Sequence, residues 1–376
     1  MTAVHHTLLG ATPGTTHQLI SLHYGTPGAG PKAMIQASLH ADEVPGMLVA
    51  HHLRRRLDAL QAAGRVRGEV VLVPAANPVG LGQWLLRGFQ GRFDLASGEN
   101  FNRHYADLTE AVAAAVQGRL GADSRANVAL VRAALREAVA ALPADSTLQS
   151  LRKTLFGLAV DADIVLDLHC DGEALLHFYT TPGCWPQAEL LARCIGARAV
   201  LLAERSGGDP FDEACSMLWP QLAQRLGLDL PQACLAVTIE LRGEADVQHA
   251  LAAQDAAGIL QFLARRGVLD LPEPAAGEAA GDLPPACRPT PLAGSIPLVA
   301  PVGGMVVFAQ EPGAQVHAGD LLAELIDPLT GTVTPVTAPV DGLFFARDNR
   351  RFAVAGMSLG KVAGSQALRS GPLLSA

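Results

Sequence analysis

Four short stretches hold residue types that can do chemistry together. In Ser38-Leu39-His40-Ala41-Asp42-Glu43 an apolar run ends and Pro45-Gly46 opens a helical pattern. His40 and Glu43 therefore fall in a strand-to-helix turn at the edge of a sheet. An HxxE pair by itself fits a solvated loop as well as a metal site. In Asp163-Ile164-Val165-Leu166-Asp167-Leu168-His169-Cys170-Asp171 an apolar run leads to Asp167 and His169, which share a face because strand side chains alternate. His169 is thus the candidate third ligand beside His40 and Glu43, with Asp167 placed to orient an imidazole and Cys170 turned to the other face. The competing reading is a buried strand histidine satisfied by Asp167. Two histidines and one carboxylate with an open fourth position are the ligand set of a catalytic zinc ion, which lowers the pKa of its water to about 7.

Moving protons at such a centre takes a further carboxylate. Val237-Thr238-Ile239-Glu240-Leu241-Arg242-Gly243 offers Glu240 at the end of an apolar strand, emerging at the same sheet edge unless it pairs with Arg242 or faces solvent. The loop Gly98-Glu99-Asn100-Phe101-Asn102-Arg103-His104-Tyr105 follows Asn77-Pro78 and places Asn102 next to Arg103, a combination able to hydrogen-bond a substrate carboxylate. Arg92 is a second cation, suited to a developing oxyanion.

The elements that must position these residues follow an α/β alternation. Apolar runs predict strands over 33–39, 70–74, 164–168, 199–203 and 235–239, several apolar on both faces as central strands are. Helical patterns cover 46–63, 109–120, 125–142, 149–160, 187–195 and 245–266, and the Ala-rich 109–160 region predicts a packed helical layer. Residues 268–296 are dense in Pro, Ala and Gly and predict a linker between a domain over 1–267 and a second over 297–376. Beyond the linker short β-rich runs lack helical period, which predicts a small barrel. Within it Ala300-Pro301-Val302-Gly303-Gly304 recurs in outline 38 residues later as Ala338-Pro339-Val340-Asp341-Gly342, predicting two similar halves.

At 376 residues with 49% hydrophobic content the chain can bury two or three cores, and a net charge of -8 argues against nucleic acid as a partner. No leader pattern opens the sequence and no stretch of 18 apolar residues interrupts it, so a cytoplasmic location without membrane contact is expected. Six cysteines without a CxxC pair are expected to be reduced thiols. Gly356-Met357-Ser358-Leu359-Gly360 matches a nucleophile elbow, but no acid and histidine follow it. The tail also looks like a biotinyl or lipoyl carrier. A carrier needs a lysine at a hairpin tip, and the chain has lysine only at 32, 153 and 361.

In order, HxxE, NP, an Asn-Arg pair, a strand-borne DLH and TxE resemble the succinylglutamate desuccinylase and aspartoacylase family, a branch of the zinc carboxypeptidase-like fold. The likeness spans most of 33–245, and the β-rich tail resembles the family's C-terminal domain. It implies a mixed sheet flanked by helices plus a small all-β domain, one zinc ion held by His40, Glu43 and His169, and Glu240 as general base and acid. It implies that Asn102 and Arg103 bind the substrate carboxylate and that Arg92 stabilises the oxyanion. Here Asn100-Phe101 precede Asn102-Arg103 where family members often read Asp-Leu, and the gap back to Arg92 is longer, which makes Arg87 a rival for that role. The implied activity is hydrolysis of an N-acyl amino acid or related carboxylate-bearing amide, and the implied assembly is a homo-oligomer. A zinc carboxypeptidase acting on short peptides is the alternative.

Overall fold

The apolar runs assemble as a nine-stranded mixed sheet in the computed structural model, which describes residues 1–10, 12–271 and 283–374. From edge to edge the strands are Thr2–Thr7, Gln18–Gly25, Glu69–Val73, Lys32–Ala37, Ile164–Asp171, Leu235–Gly243, Leu176–Thr180, Ala199–Leu202 and Thr290–Pro291. The middle strands Lys32–Ala37, Ile164–Asp171 and Leu235–Gly243 are parallel neighbours, so their carboxyl ends open at one edge. That edge is where an open α/β sheet binds ligands. Both faces of these strands are buried because helices cover each side, one core lying under Pro45–Ala62, Trp185–Ile195 and His249–Arg265. The other lies under Thr109–Val116, Ser124–Ala141, Thr147–Ala159 and Leu218–Leu226.

The predicted elements form, with ends displaced by a few residues. The last helix starts at His249, not at 245, because Gly243 to Asp246 turn back on themselves and Gln248 stays extended before the first turn. Alternation did not reveal the hairpin Thr2–Thr7 with Gln18–Gly25 or the strand Leu176–Thr180. It also passed over the helices Phe211–Ser216 and Leu218–Leu226, whose start is hidden behind Gly207, Gly208 and Pro210.

Part of the predicted linker, 272–282, lies outside the described residues. Its two ends are built into the fold. Val268 and Leu269 are buried in the first core, Thr290–Pro291 adds a parallel edge strand beside Ala199–Leu202, and the C-terminal sheets begin at Ser295. Two sheets follow, one of four strands and one of five that takes in Glu173–Ala174 from the first part of the chain beside Gly342–Arg347, and the repeat seen in the sequence falls at equivalent places in them. Ala300 exchanges backbone hydrogen bonds with Met357 and Gly356, and Ala338 does so with Asp320 and Gly319. Each buried alanine leads into a strand, Gly304–Phe308 in one sheet and Gly342–Arg347 in the other. The hairpin tip between Leu321–Ile326 and Val333–Thr337 displays Leu329, so it offers no lysine for a carrier group. Ser358 opens a strand with no helix after it and is no nucleophile elbow. Among the described residues no helix is long and apolar enough to cross a membrane, and all six cysteines are unpaired.

Candidate active site

The turn after Lys32–Ala37 is tightly pinned. Glu43 N–H donates to the His40 carbonyl at 3.1 Å, and Ser38 Oγ donates to the Glu43 carbonyl at 3.0 Å. Pro45 then starts the helix, where its fixed φ and missing N–H cost nothing. Asn77 of the Asn-Pro motif serves the same turn, donating to the Leu39 carbonyl at 2.9 Å while its Oδ1 accepts from Gly80 N–H. Gly91 lies against the turn so closely that a Cβ there would meet the Asp42 nitrogen at 2.1 Å, and this contact delivers Arg92 to the site. His169 arrives from the carboxyl end of the central strand.

His40, Glu43 and His169 thereby converge, with ligand atoms all within 4.8 Å of one another, the one such group of three among the described residues. His40 Nδ1 lies 2.8 Å from Glu43 Oε1, and His169 Nδ1 lies 2.7 Å from Glu43 Oε2. The outward nitrogen of His40 is engaged elsewhere. Asn100 Oδ1 accepts the Asn102 backbone N–H at 2.8 Å, which fixes it as an oxygen, so at 2.8 Å from it His40 Nε2 is the donor. His40 Nδ1 then carries a lone pair that faces a carboxylate oxygen and the Arg92 Nη1 N–H, 3.2 Å away, so positive charge is favoured between these side chains. His169 Nε2 sits 3.0 Å from Asp167 Oδ2, and Gln36 Nε2 donates to Asp167 Oδ1 at 3.0 Å. The residues present therefore fit a divalent ion bound through two Nδ1 atoms and a carboxylate.

The electrostatics agree. Burial, with Arg92 next, lowers His40 to about 4 and keeps it neutral. Burial works against ionising Glu43, yet the two imidazoles hold it well below the usual carboxylate range. Against burial, Asp167 and Glu43 raise His169 well above its ordinary value, which marks a place that favours positive charge.

Glu240 stands beside His169 in the register of the parallel strands and lines the same cavity. Burial and the neighbouring Glu43 push its carboxyl up to about 8, and its Oε2 has no hydrogen-bond partner among the described residues. Arg242 pairs with Asp255 on the helix behind and leaves Glu240 alone. Arg92 Nη1 donates to Glu43 Oε1 at 2.9 Å and faces the cavity, whereas Arg87 is exposed at a hairpin turn away from it. Asn102 and Arg103 also line the cavity. Asn102 Oδ1 accepts from Phe211 N–H at 2.9 Å, and Arg103 Nη1 donates to the Asn102 carbonyl at 2.7 Å. Gly208 lets Arg103 pass, since a Cβ there would meet Arg103 Cδ at 2.7 Å and its φ is +77°.

Comparison with family models places residues 29–266, more than half of the chain, in the group described as the succinylglutamate desuccinylase/aspartoacylase catalytic domain. The chain belongs to that family. It is similar to a family protein from Shewanella amazonensis SB2B, with 29% identity and a TM-score of 0.83 over 96% of this chain and 98% of that one. A family protein from Shewanella frigidimarina NCIMB 400 shares 27% identity with a TM-score of 0.81 over 96% and 97%. The product-bound ectoine utilization protein EutE (DoeB) of Ruegeria pomeroyi shares the fold at 18% identity and a TM-score of 0.64, over 97% of this chain and 95% of that one. Comparison with curated proteins gives no match.

In this desuccinylase/aspartoacylase family member the cavity measures about 820 Å³ and takes walls from both parts of the chain. Lys361, from the C-terminal sheets, reaches it and donates to Asp171 Oδ2 at 2.5 Å, two residues after His169. Arg347 and Arg351 hold Glu173 at 2.6 and 2.5 Å, so the C-terminal sheets clamp the segment that follows the ligand strand. Tyr179 and Glu213 line the cavity, while Asp209 is exposed beside Arg205. Sequence reasoning overlooked Asn100, Asp171, Asp212 and Lys361. Asn100 sat inside a loop already singled out, and Lys361 is one of three lysines, which is the signal each of them offered.

Proposed function

We propose that the chain is a zinc-dependent amidohydrolase that removes an acyl group from an N-acyl amino acid or a related small carboxylate-bearing amide. The observation that carries this reading is the convergence of His40 Nδ1 and His169 Nδ1 on the two oxygens of Glu43, with Asn100 bonded to the outer nitrogen of His40 and Asp167 3.0 Å from that of His169. His40, Glu43 and His169 would hold the ion. When bound, zinc polarises the scissile carbonyl and makes water acidic enough to be deprotonated near neutral pH. Glu240 takes the proton of the attacking water and passes it to the leaving amine nitrogen, a task that suits a carboxyl raised to about 8. Arg92, stationed by its bond to Glu43 and by Gly91, offers its remaining N–H groups to the oxyanion. Arg103 and the Asn102 amide nitrogen orient the substrate through its carboxylate.

The 347–350 segment, Lys361 and the C-terminal residues wall the cavity, which supports a small substrate over a peptide. A cytoplasmic location and self-association belong to the same proposal. The test is metal analysis of the purified chain together with hydrolysis of N-acetyl, N-succinyl and N-formyl amino acids beside dipeptides. Stoichiometric zinc and turnover of the acyl amides are expected, and a chain that holds no divalent ion, or that cleaves only dipeptides, overturns the reading.

A further inference from the structure

An antiparallel sheet with one face in water alternates apolar residues inward with polar residues outward. The four-stranded C-terminal sheet of Val333–Thr337, Leu321–Ile326, Gly304–Phe308 and Phe352–Ala353 departs from that rule. Its inward set is ordinary, for Val306, Leu325, Val336 and Ala353 are buried in the C-terminal core. Its outward set is apolar as well. Met305 stands opposite Phe352 on one side and Ile326 on the other, and Ile326 stands opposite Val333, so one apolar row crosses all four strands. Two residues further along Gly304–Phe308, Val307 stands opposite Glu324, which stands opposite Pro335. Met305, Val307, Val333, Phe352 and the adjoining Val354 are 41% to 64% exposed, and none of them lines the cavity. Glu324 alone brings charge into these rows. The neighbouring charges turn away. Arg350 pairs with Asp348 and lines the cavity, Arg351 lies over the Phe308 ring and holds Glu173, and Asp327 accepts from Leu329 and Thr330 within its own hairpin turn.

Area, charge and the edges of the sheet together select the occupant. The exposed apolar side chains of this face offer on the order of 400 Å². A stable interface takes about 800 Å² from each partner, a little over half of it apolar, so the face supplies what one copy must bring. With a net charge of -8, two copies repel over most of their surface and meet at least cost where charge is nearly absent. A partner of opposite charge would select a charged face instead. Pro335 withholds an N–H from the outer strand Val333–Thr337, and the opposite edge strand spans only Phe352–Ala353, which blunts edge-to-edge pairing and leaves the face. We propose that two copies of this chain pack these outer sheet faces against each other about a two-fold axis, with Met305, Ile326, Val333 and Phe352 at the centre of the contact. The proposed self-association thereby gains a surface, one that is independent of the deacylase reading because it lies outside the cavity.

Sedimentation equilibrium of the full chain as purified tests this. The wild-type chain is expected at twice the mass of one chain at micromolar concentration and to dissociate on dilution. Phe352→Lys and Val307→Asp each place two charges in the contact by symmetry and are expected to weaken it at least about 100-fold. Both side chains point outward, so melting curves should match the wild type. Should either variant fold poorly, Glu324→Gln decides independently, because two like charges leave the contact and association tightens by about 3- to 10-fold. Leu86→Lys, at an exposed hairpin tip elsewhere in the molecule, leaves the double mass unchanged. A wild-type chain that stays single at every concentration overturns the proposal, as does a double mass that resists the Phe352 and Val307 variants, dissolves with Leu86→Lys or loosens with Glu324→Gln. A single chain that sediments with phosphatidylcholine vesicles overturns it too and gives the face to a lipid surface. Failure to turn over any acyl amide while the double mass persists overturns the deacylase reading alone.

Discussion

Asn100 is not among the residues that line the cavity, yet it decides which nitrogen of His40 is left for a cation. Its carbonyl oxygen is fixed by the Asn102 N–H and receives the His40 Nε2 proton. Asn100→Ala removes that acceptor, lets the ring change tautomer, and is expected to weaken zinc binding about 10- to 100-fold in chelator competition. Asn100→Asp keeps the acceptor and recovers most of the affinity. Glu240→Gln should keep zinc and lose about 10²- to 10⁴-fold in kcat, since the amide cannot accept a proton. The sign of the pH dependence follows from the same group. Burial and Glu43 hold Glu240 protonated up to about pH 8, and a bound cation favours the carboxylate. The limb of kcat/KM that rises with pH therefore lies below 8 in the zinc enzyme and vanishes in Glu240→Gln. The residue types of this centre were legible in the sequence because each ends a recognisable apolar run. Asn100 was not, because its role is a contact with His40 across 60 residues.

At the scale of elements, the buried parallel strands were readable as apolar runs, and the turns at their ends followed. Exposed or punctuated elements were not. Thr2–Thr7 is almost wholly exposed and carries no alternation to read. The Thr147–Ala159 helix, expected only to fill a layer, also serves the site, for Arg152 holds Glu99 and the Asn100 carbonyl at 2.8 Å each. The short Phe211–Ser216 helix brings Asp212 to the cavity wall, where burial and the adjacent Glu213 push its carboxyl up to about 7. In the unfolded chain the same group titrates near 3.9, so the native state keeps its proton to higher pH than the unfolded state does. The contribution of Asp212 to stability therefore falls as pH rises from about 4 to about 7. Asp212→Asn removes that loss. Urea unfolding at pH 8 should show the variant more stable by on the order of 2–4 kcal/mol, with the gap closing toward pH 4.

For the whole molecule, the C-terminal sheets form part of the wall of the candidate active site. Their ties to the ligand strand run through Lys361 and Asp171, 190 residues apart, and no local pattern announces a pair at that separation. The β-rich tail and its repeat were legible in local turns and alternation, but not which face would meet the cavity, because that is set by packing between distant segments. Lys361 also lowers the carboxyl of Glu240 against the effect of burial, so the C-terminal sheets act on the carboxyl proposed as proton acceptor. Lys361→Met is expected to displace the rising limb of kcat/KM toward higher pH, because Glu240 loses a nearby positive charge that favours its ionised form. Lys361→Arg, which keeps the charge, restores the limb. A lysine that served only to hold the C-terminal sheets against Asp171 would lower the melting temperature in the Met variant and leave the pH profile where it was, and that outcome would refute the tuning role.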